Sequence, residues 1–249
     1  MTATDCPSPS NCTVPDLGSF DLSRLRVIRP RPTSFYTAYR ARHWPGVFNP
    51  GHGDTRFTPL RTAGGSAVPT LYGGVTKTGA LLESVFHEVH AGGARIISRA
   101  IDLAPRGLVE LSSADPLSFV DLSDAALVDM GLVRPDGAAA RERLVATGPT
   151  HYPCTRTWSE HLHALGAIDG DLPVGIRWQS RIAELAISGA PLLEDLFNVD
   201  NTSVFVLFGD RVSTYIDDYT IGEHYEDLAA DDAGGLVVAI AEQLGAVIL

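Results

Sequence analysis

The stretch Asp54–His90, DTRFTPLRTAGGSAVPTLYGGVTKTGALLESVFHEVH, constrains the fold more than any other part of the chain. It begins with an arginine–aromatic pair, Arg56-Phe57, ahead of a Gly-rich turn. The apolar run that follows, Val68 to Gly73, reads as a buried strand: it is short and bounded by residues that favour turns. After a second Gly-containing turn the period changes from strand to helix. Thr78 is a suitable N-cap for a helix from about Gly79 to His90, and Leu81, Leu82, Val85, Phe86 and Val89 fall on one stripe at helical spacing. At about 100° per residue Glu83 lies off that stripe together with His87 and His90, so its carboxylate points away from the main packing.

The rest of the chain fills in a mixed architecture. Residues 1–20 are rich in Ser, Thr and Pro with little apolar material, and read as a flexible arm ahead of one folded domain over 21–249. Leu22–Ile28 starts ordered structure as a short helix or strand. Phe35–Arg40 is an aromatic strand ending on Arg40, and His43–Gly53 is a loop long enough to meet a ligand. Arg95–Leu103, Val109–Leu111, Phe119–Leu122, Val174–Gln179, Leu185–Ile187 and Val204–Phe208 read as strands. Asp124–Met130, Gly137–Ala146, Thr155–Leu165 and Gly235–Leu244 read as helices, the third burying Trp158, Leu162 and Leu165. Strands and helices mix without regular βαβ alternation, which makes a single α+β domain the expected fold class.

Composition removes several function classes. A net charge of −11 argues against nucleic-acid binding, which needs clustered Lys and Arg to neutralise phosphates. A small anionic ligand needs only two or three local arginines and stays open. Of nineteen basic residues only Lys77 is a lysine, a bias that a GC-rich genome explains. Three cysteines, Cys6, Cys12 and Cys154, make no disulfide framework and have no zinc spacing, and the first two lie in the expected arm. No run of 18 apolar residues and no signal-peptide pattern is present, so a cytosolic protein without a membrane segment is expected.

The candidate sites are few. Glu83, His87 and His90, at i, i+4 and i+7, could ligate a metal, but the spacing is not that of H-E-x-x-H and a solvated helix face explains the histidines better; no metal is expected. G-x-S-x-G, G-x-G-x-x-G and the P-loop pattern are all absent, which sets aside hydrolase triads, Rossmann dehydrogenases and P-loop NTPases. What remains is a spread set: Tyr39-Arg40, Arg56-Phe57, Leu71-Tyr72, Glu83 and Ser180. Each alone has a structural explanation, as a surface charge, a core tyrosine or a strand-end hydroxyl.

The order of these pieces carries more. Tyr39-Arg40, a Gly-containing loop, Arg56-Phe57-Thr58-Pro59, Pro69-Thr70-Leu71-Tyr72, Ala80-Leu81-Leu82-Glu83-Ser84-Val85-Phe86-His87, Trp158-Ser159 and Gly175-Ile176-Arg177-Trp178-Gln179-Ser180-Arg181 together resemble the RES domain family, over roughly residues 35 to 210. The resemblance implies a fold like the ADP-ribosyltransferases, a small mixed sheet split around an NAD cleft and flanked by helices. It implies NAD as substrate, with no separate cofactor, and a bacterial toxin of a toxin–antitoxin pair that hydrolyses or phosphorolyses NAD. An antitoxin protein is then the implied partner, and self-association stays open. Carried over by position, Glu83, Arg40 and Ser180 become the expected catalytic residues, and Arg40, Arg56, Tyr72 and Ser180 the expected NAD contacts. Two other readings stay open here: an ADP-ribosyltransferase acting on a protein or small molecule, and a non-catalytic module that binds a nucleotide or partner.

Overall fold

Half-exposed residues interleave with buried ones along the strand Ser34–Arg40, whereas the strand Arg106–Ser113 buries Gly107, Leu108 and Val109 in succession before Glu110 opens outward. In the computed structural model, which describes residues 6, 12, 14–19, 21–29, 34–87, 96–131, 144–145, 147–182, 202–230 and 233–249, these strands belong to one large sheet. The strands are β1 (Val27–Ile28), β2 (Ser34–Arg40), β3 (Leu60–Arg61), β4 (Ala67–Val68), β5 (Thr70–Gly74), β6 (Ile96–Ile97), β7 (Arg106–Ser113), β8 (Phe119–Asp121), β9 (Gly175–Gln179), β10 (Ser203–Phe208), β11 (Tyr219–Tyr225) and β12 (Val247–Ile248). The helices are α1 (Lys77–Ser84), α2 (Asp124–Asp129), α3 (Tyr152–Ala164) and α4 (Ala233–Gln243).

The eight-stranded sheet runs β1-β8-β9-β10-β5-β2-β7-β11, larger than the small sheet expected but mixed, as expected: β8 and β9 are parallel and the other pairs antiparallel. Every residue of central β10 is buried, which explains its continuous apolar sequence. β2 and β5 pair only at Tyr36↔Gly74, so the sheet is split between them, and the Thr37 hydroxyl bridges the gap by donating to the Tyr72 carbonyl at 2.9 Å.

Register sorts the side chains. Tyr36, Ala38, Tyr72, Val204 and Val206 share one face; Phe35, Leu71, Phe205 and Leu207 share the other and form one cluster. The first face carries two clusters. One lies under α3, with Trp158, Leu162, Trp178 and Val206; the second lies under α1 and α4, with Leu81, Leu82, Leu108, Val237 and Ile240. Tyr72 packs against the first, beside the split. Val14 and Leu17, from the stretch expected to be an arm, also pack against the first cluster, and the Trp158 indole N–H donates to the Pro15 carbonyl at 2.9 Å.

Three expectations need correction. Helix α1 starts at Lys77, capped by the Thr76 hydroxyl accepting the Gly79 N–H at 3.1 Å, and Thr78 is buried inside the first turn. It ends at Ser84, because the Leu81 carbonyl takes both the Val85 and Phe86 N–H groups and closes the turn. His87 therefore lies beyond the helix, not four residues along the same face as Glu83; His90 and Val89 lie outside the described residues. Arg95–Leu103 is not one strand: β6 is followed by a π-helical turn over Arg99–Leu103, capped by the Ser98 hydroxyl. β11 was not expected at all, since Tyr219–Tyr225 forms a sheet edge exposed at most positions and shows no alternation. The expected strand Leu185–Ile187 and nearly all of the expected helix Gly137–Ala146 lie outside the described residues. Among those described, no helix is long and apolar enough to cross a membrane.

Candidate active site

The site is built where α3 meets the loop before β3. The Tyr72 hydroxyl accepts the Phe57 N–H at 3.1 Å and shares a hydrogen bond with the Thr55 hydroxyl at 3.0 Å. From the other side α3 holds the same loop: the Thr155 hydroxyl donates to the Arg56 carbonyl, the Ser159 hydroxyl to the Phe57 carbonyl at 3.0 Å, and Arg156 pairs with Asp54. The Phe57 ring then meets Trp178 edge-on at 4.9 Å, and Tyr72 meets the same indole at 6.0 Å. Burial pushes the Tyr72 hydroxyl above its ordinary range, while Thr55, the Phe57 N–H and Thr58 pull it back. The Glu83 carboxylate adds a smaller upward push.

Arg56 is 2% exposed. Its guanidinium lies over the Tyr152 ring at 5.7 Å and donates from Nη2 to the Thr147 carbonyl at 3.4 Å. Nε and Nη1 find no acceptor, and no carboxylate pairs with the side chain among the described residues. Burying a cation without a paired carboxylate among the described residues is costly, because the low-polarity interior penalises its charge.

Glu83 is half-buried on α1. At the end of that helix Arg106 donates from Nη1 to the Ser84 carbonyl at 3.2 Å, meeting one of the carbonyls a helix end leaves open. Arg106 is the cross-strand partner of Arg40, the exposed last residue of β2. Burial, and then the positive charge of Arg40, lower Arg106 from its ordinary range; Asp102 works the other way. Two guanidiniums thus stand side by side next to the helix that carries Glu83. Arg106 was not singled out in the sequence, and only strand register could have revealed it.

Ser180 stands at the opposite end of the sheet, just past β9. It is fully buried; its hydroxyl accepts the Ile182 N–H at 3.4 Å and its own N–H donates to Thr202. Ile182 packs with Leu81 and Leu82, and Arg181 donates to the His87 carbonyl at 2.8 Å, so the chain here runs back along α1. The fold thus joins Tyr72 to the Arg56 loop by hydrogen bonds, sets the Arg40–Arg106 pair at the end of the helix that carries Glu83, and places Ser180 just past β9, two residues before Ile182, which packs with Leu81 and Leu82 of that helix. A surface cavity of about 350 Å³ opens elsewhere, against Tyr39, Trp44 and His224, and holds none of the five expected residues.

Comparison with known proteins agrees with the order of motifs. The RES domain model matches residues 26–190. Among solved structures, the M. tuberculosis MbcT–MbcA toxin–antitoxin complex is similar at 12% identity, covering 90% of this chain and 93% of that one with a TM-score of 0.47. No curated protein matches the sequence. With the domain spanning most of its length, the chain belongs to the RES domain family.

Proposed function

We propose that this protein consumes NAD by cleaving its nicotinamide–ribose bond, and that it does so as a toxin held in check by an antitoxin protein. The observation that carries the proposal is Arg56, buried to 2% exposure with Nε and Nη1 unmet among the described residues. A guanidinium so placed favours an incoming anion, and its planar fork suits the oxygens of a pyrophosphate. Arg40 and Arg106, adjacent in register, give a second point for phosphate oxygens. Membership of the RES domain family supports NAD as the molecule that carries this pyrophosphate.

The chemistry assigns a role to each side chain. When the C–N bond between ribose and nicotinamide breaks, its electron pair leaves with nicotinamide and the ribose becomes oxocarbenium-like, as in glycoside hydrolysis. Glu83 stabilises that cation and orients the attacking oxygen. The Tyr72 hydroxyl is engaged by Thr55 and Phe57, which leaves the ring, not the hydroxyl, to stack on the substrate. Ser180 is buried, so its role is to hold the strand end against α1 and thereby set the position of Glu83.

The test is incubation of purified protein with NAD, with and without phosphate. Nicotinamide with ADP-ribose marks hydrolysis, and nicotinamide with ADP-ribose-1″-phosphate marks phosphorolysis. Glu83→Gln, nearly identical in shape, abolishes NAD loss at an unchanged melting temperature; undiminished turnover by this variant refutes the assignment. Nicotinamide released only after a protein target is added moves the activity to ADP-ribosyl transfer.

A further inference from the structure

The three cysteines are distant in sequence, Cys6 and Cys12 in the N-terminal stretch and Cys154 in the first turn of α3, and none is in a disulfide. Folding brings all three to one place, where His151 joins them. The three sulfurs and a ring nitrogen of His151 all lie within 4.8 Å of one another. Cys12 Sγ is 3.6 Å from Cys154 Sγ, and Cys6 Sγ is 3.8 Å from His151 Nδ1.

We propose that Cys6, Cys12, His151 and Cys154 form a structural Zn²⁺ site. Zn–S bonds of about 2.3 Å and a Zn–N bond of about 2.0 Å put tetrahedral ligand atoms about 3.6–3.8 Å apart, which matches the two separations given above. The donor set is three thiols and one imidazole, soft ligands that select zinc over hard cations such as magnesium or calcium. Four protein ligands close the coordination sphere, so the site is structural; a catalytic zinc keeps one position open for water. All four residues are partly buried, and their sulfurs are not spread over a solvated face.

Two local features deliver the ligands. His151 is the residue before α3 and Cys154 lies one turn on, an i, i+3 spacing that sets both on one side of the helix start. The partners come from the N-terminal stretch, which is anchored just downstream by Val14 and Leu17 in the α3 cluster and by the Trp158–Pro15 hydrogen bond. No Cys-x₂-Cys spacing is needed, because the two halves of the site come from the N-terminal stretch and from the start of α3, far apart in sequence. The consequence reaches the candidate active site. The same first turns of α3 carry Thr155, Arg156 and Ser159, which hold the Arg56 loop, so a metal here fixes the helix that positions Arg56.

The test uses the full chain purified under reducing conditions, with metal measured by mass spectrometry. About one equivalent of zinc per chain that survives dialysis is expected, with loss of that equivalent in Cys12→Ser/Cys154→Ser. Replacement by Co²⁺ in the unmutated protein gives intense tetrahedral d–d bands and a thiolate-to-cobalt charge-transfer band, and this readout stands even where the variant fails to fold. A chain that takes up no zinc, a weak octahedral cobalt spectrum, zinc retained by the double variant, or a Cys12–Cys154 disulfide in place of metal overturns the proposal.

Discussion

Tyr72→Phe separates anchoring from chemistry. The substitution keeps the ring that packs against Trp178 and removes only the hydroxyl, which accepts the Phe57 N–H at 3.1 Å and meets Thr55 at 3.0 Å. The two lost contacts are not equivalent. Thr55 keeps its hydrogen bonds to the Thr58 carbonyl, at 3.2 Å, and the Thr58 hydroxyl, at 2.5 Å. The Phe57 N–H loses its acceptor in a residue with 0% exposure, where water offers no substitute. One orphaned buried donor costs about 1–3 kcal/mol. For a chain of this size that is a fall in melting temperature of roughly 2–4 °C per kcal/mol. Urea unfolding is the cleaner assay: the midpoint falls while the slope stays unchanged, because the surface exposed on unfolding is the same. A loss below about 0.5 kcal/mol means that the Phe57 N–H is satisfied elsewhere and that the loop does not hang from Tyr72. In NAD turnover the variant raises KM through the loosened Arg56 and leaves kcat nearly intact. Loss of kcat at unchanged stability instead gives the hydroxyl a direct part in bond cleavage.

Other outcomes follow from single contacts. Gly74→Ala places a Cβ 2.2 Å from the Ala80 backbone nitrogen, so α1 must shift; several degrees of melting temperature and most of the turnover are lost, whereas Gly148→Ala, which meets open space, changes neither. Arg106→Ala removes the donor to Ser84 and the neighbour of Arg40, and raises KM for NAD about tenfold, with Arg106→Lys only partly rescuing it because the fork is lost. Burial, and then Asp218, push the Tyr219 hydroxyl up to about 12 from 10.0. Its neutral form is favoured in the fold, so its contribution is fully present below pH 10 and lost as pH rises towards 12; Tyr219→Phe flattens that alkaline limb in pH-dependent unfolding.

How far the sequence could be read depended on whether a signal was local. Phe35–Arg40, Val204–Phe208 and Thr155–Leu165 matched their elements closely, because burial follows a period that a short window displays. β11 was missed because an exposed edge carries no such period. The end of α1 was misplaced because it is fixed by the Leu81 carbonyl and by Arg106, twenty-two residues after Ser84, and neither leaves a mark in helical spacing. The site shows the same divide. Tyr72 and Glu83 are expected from the order of motifs, whereas Arg106 becomes visible only once β2 and β7 are in register. The grouping of Cys6 and Cys12 with His151 and Cys154 spans more than 140 residues and has no sequence spacing to announce it.

The two clusters on the shared sheet face explain why the candidate site sits where it does. Under α1 and α4 the packing is almost wholly aliphatic and fixes a helix; under α3 the aromatic rings of Phe57, Trp158, Trp178 and Phe208 join an aliphatic core and fix a loop. β2 and β5 meet at one register, so no continuous ladder joins these two strands, and α1 packs across both. Glu83 is carried by the helix of the cluster under α1 and α4, while Arg56 is held with the cluster under α3, where Tyr72 packs and is hydrogen-bonded to the same loop. The carboxylate and the buried guanidinium are therefore positioned by different packing units, with α1 packed on β5 and β10 as well as on β2. If the proposed activity holds, an anion bound at Arg56 and a cationic ribose stabilised at Glu83 would link the two packing units, and substrate itself would complete the site.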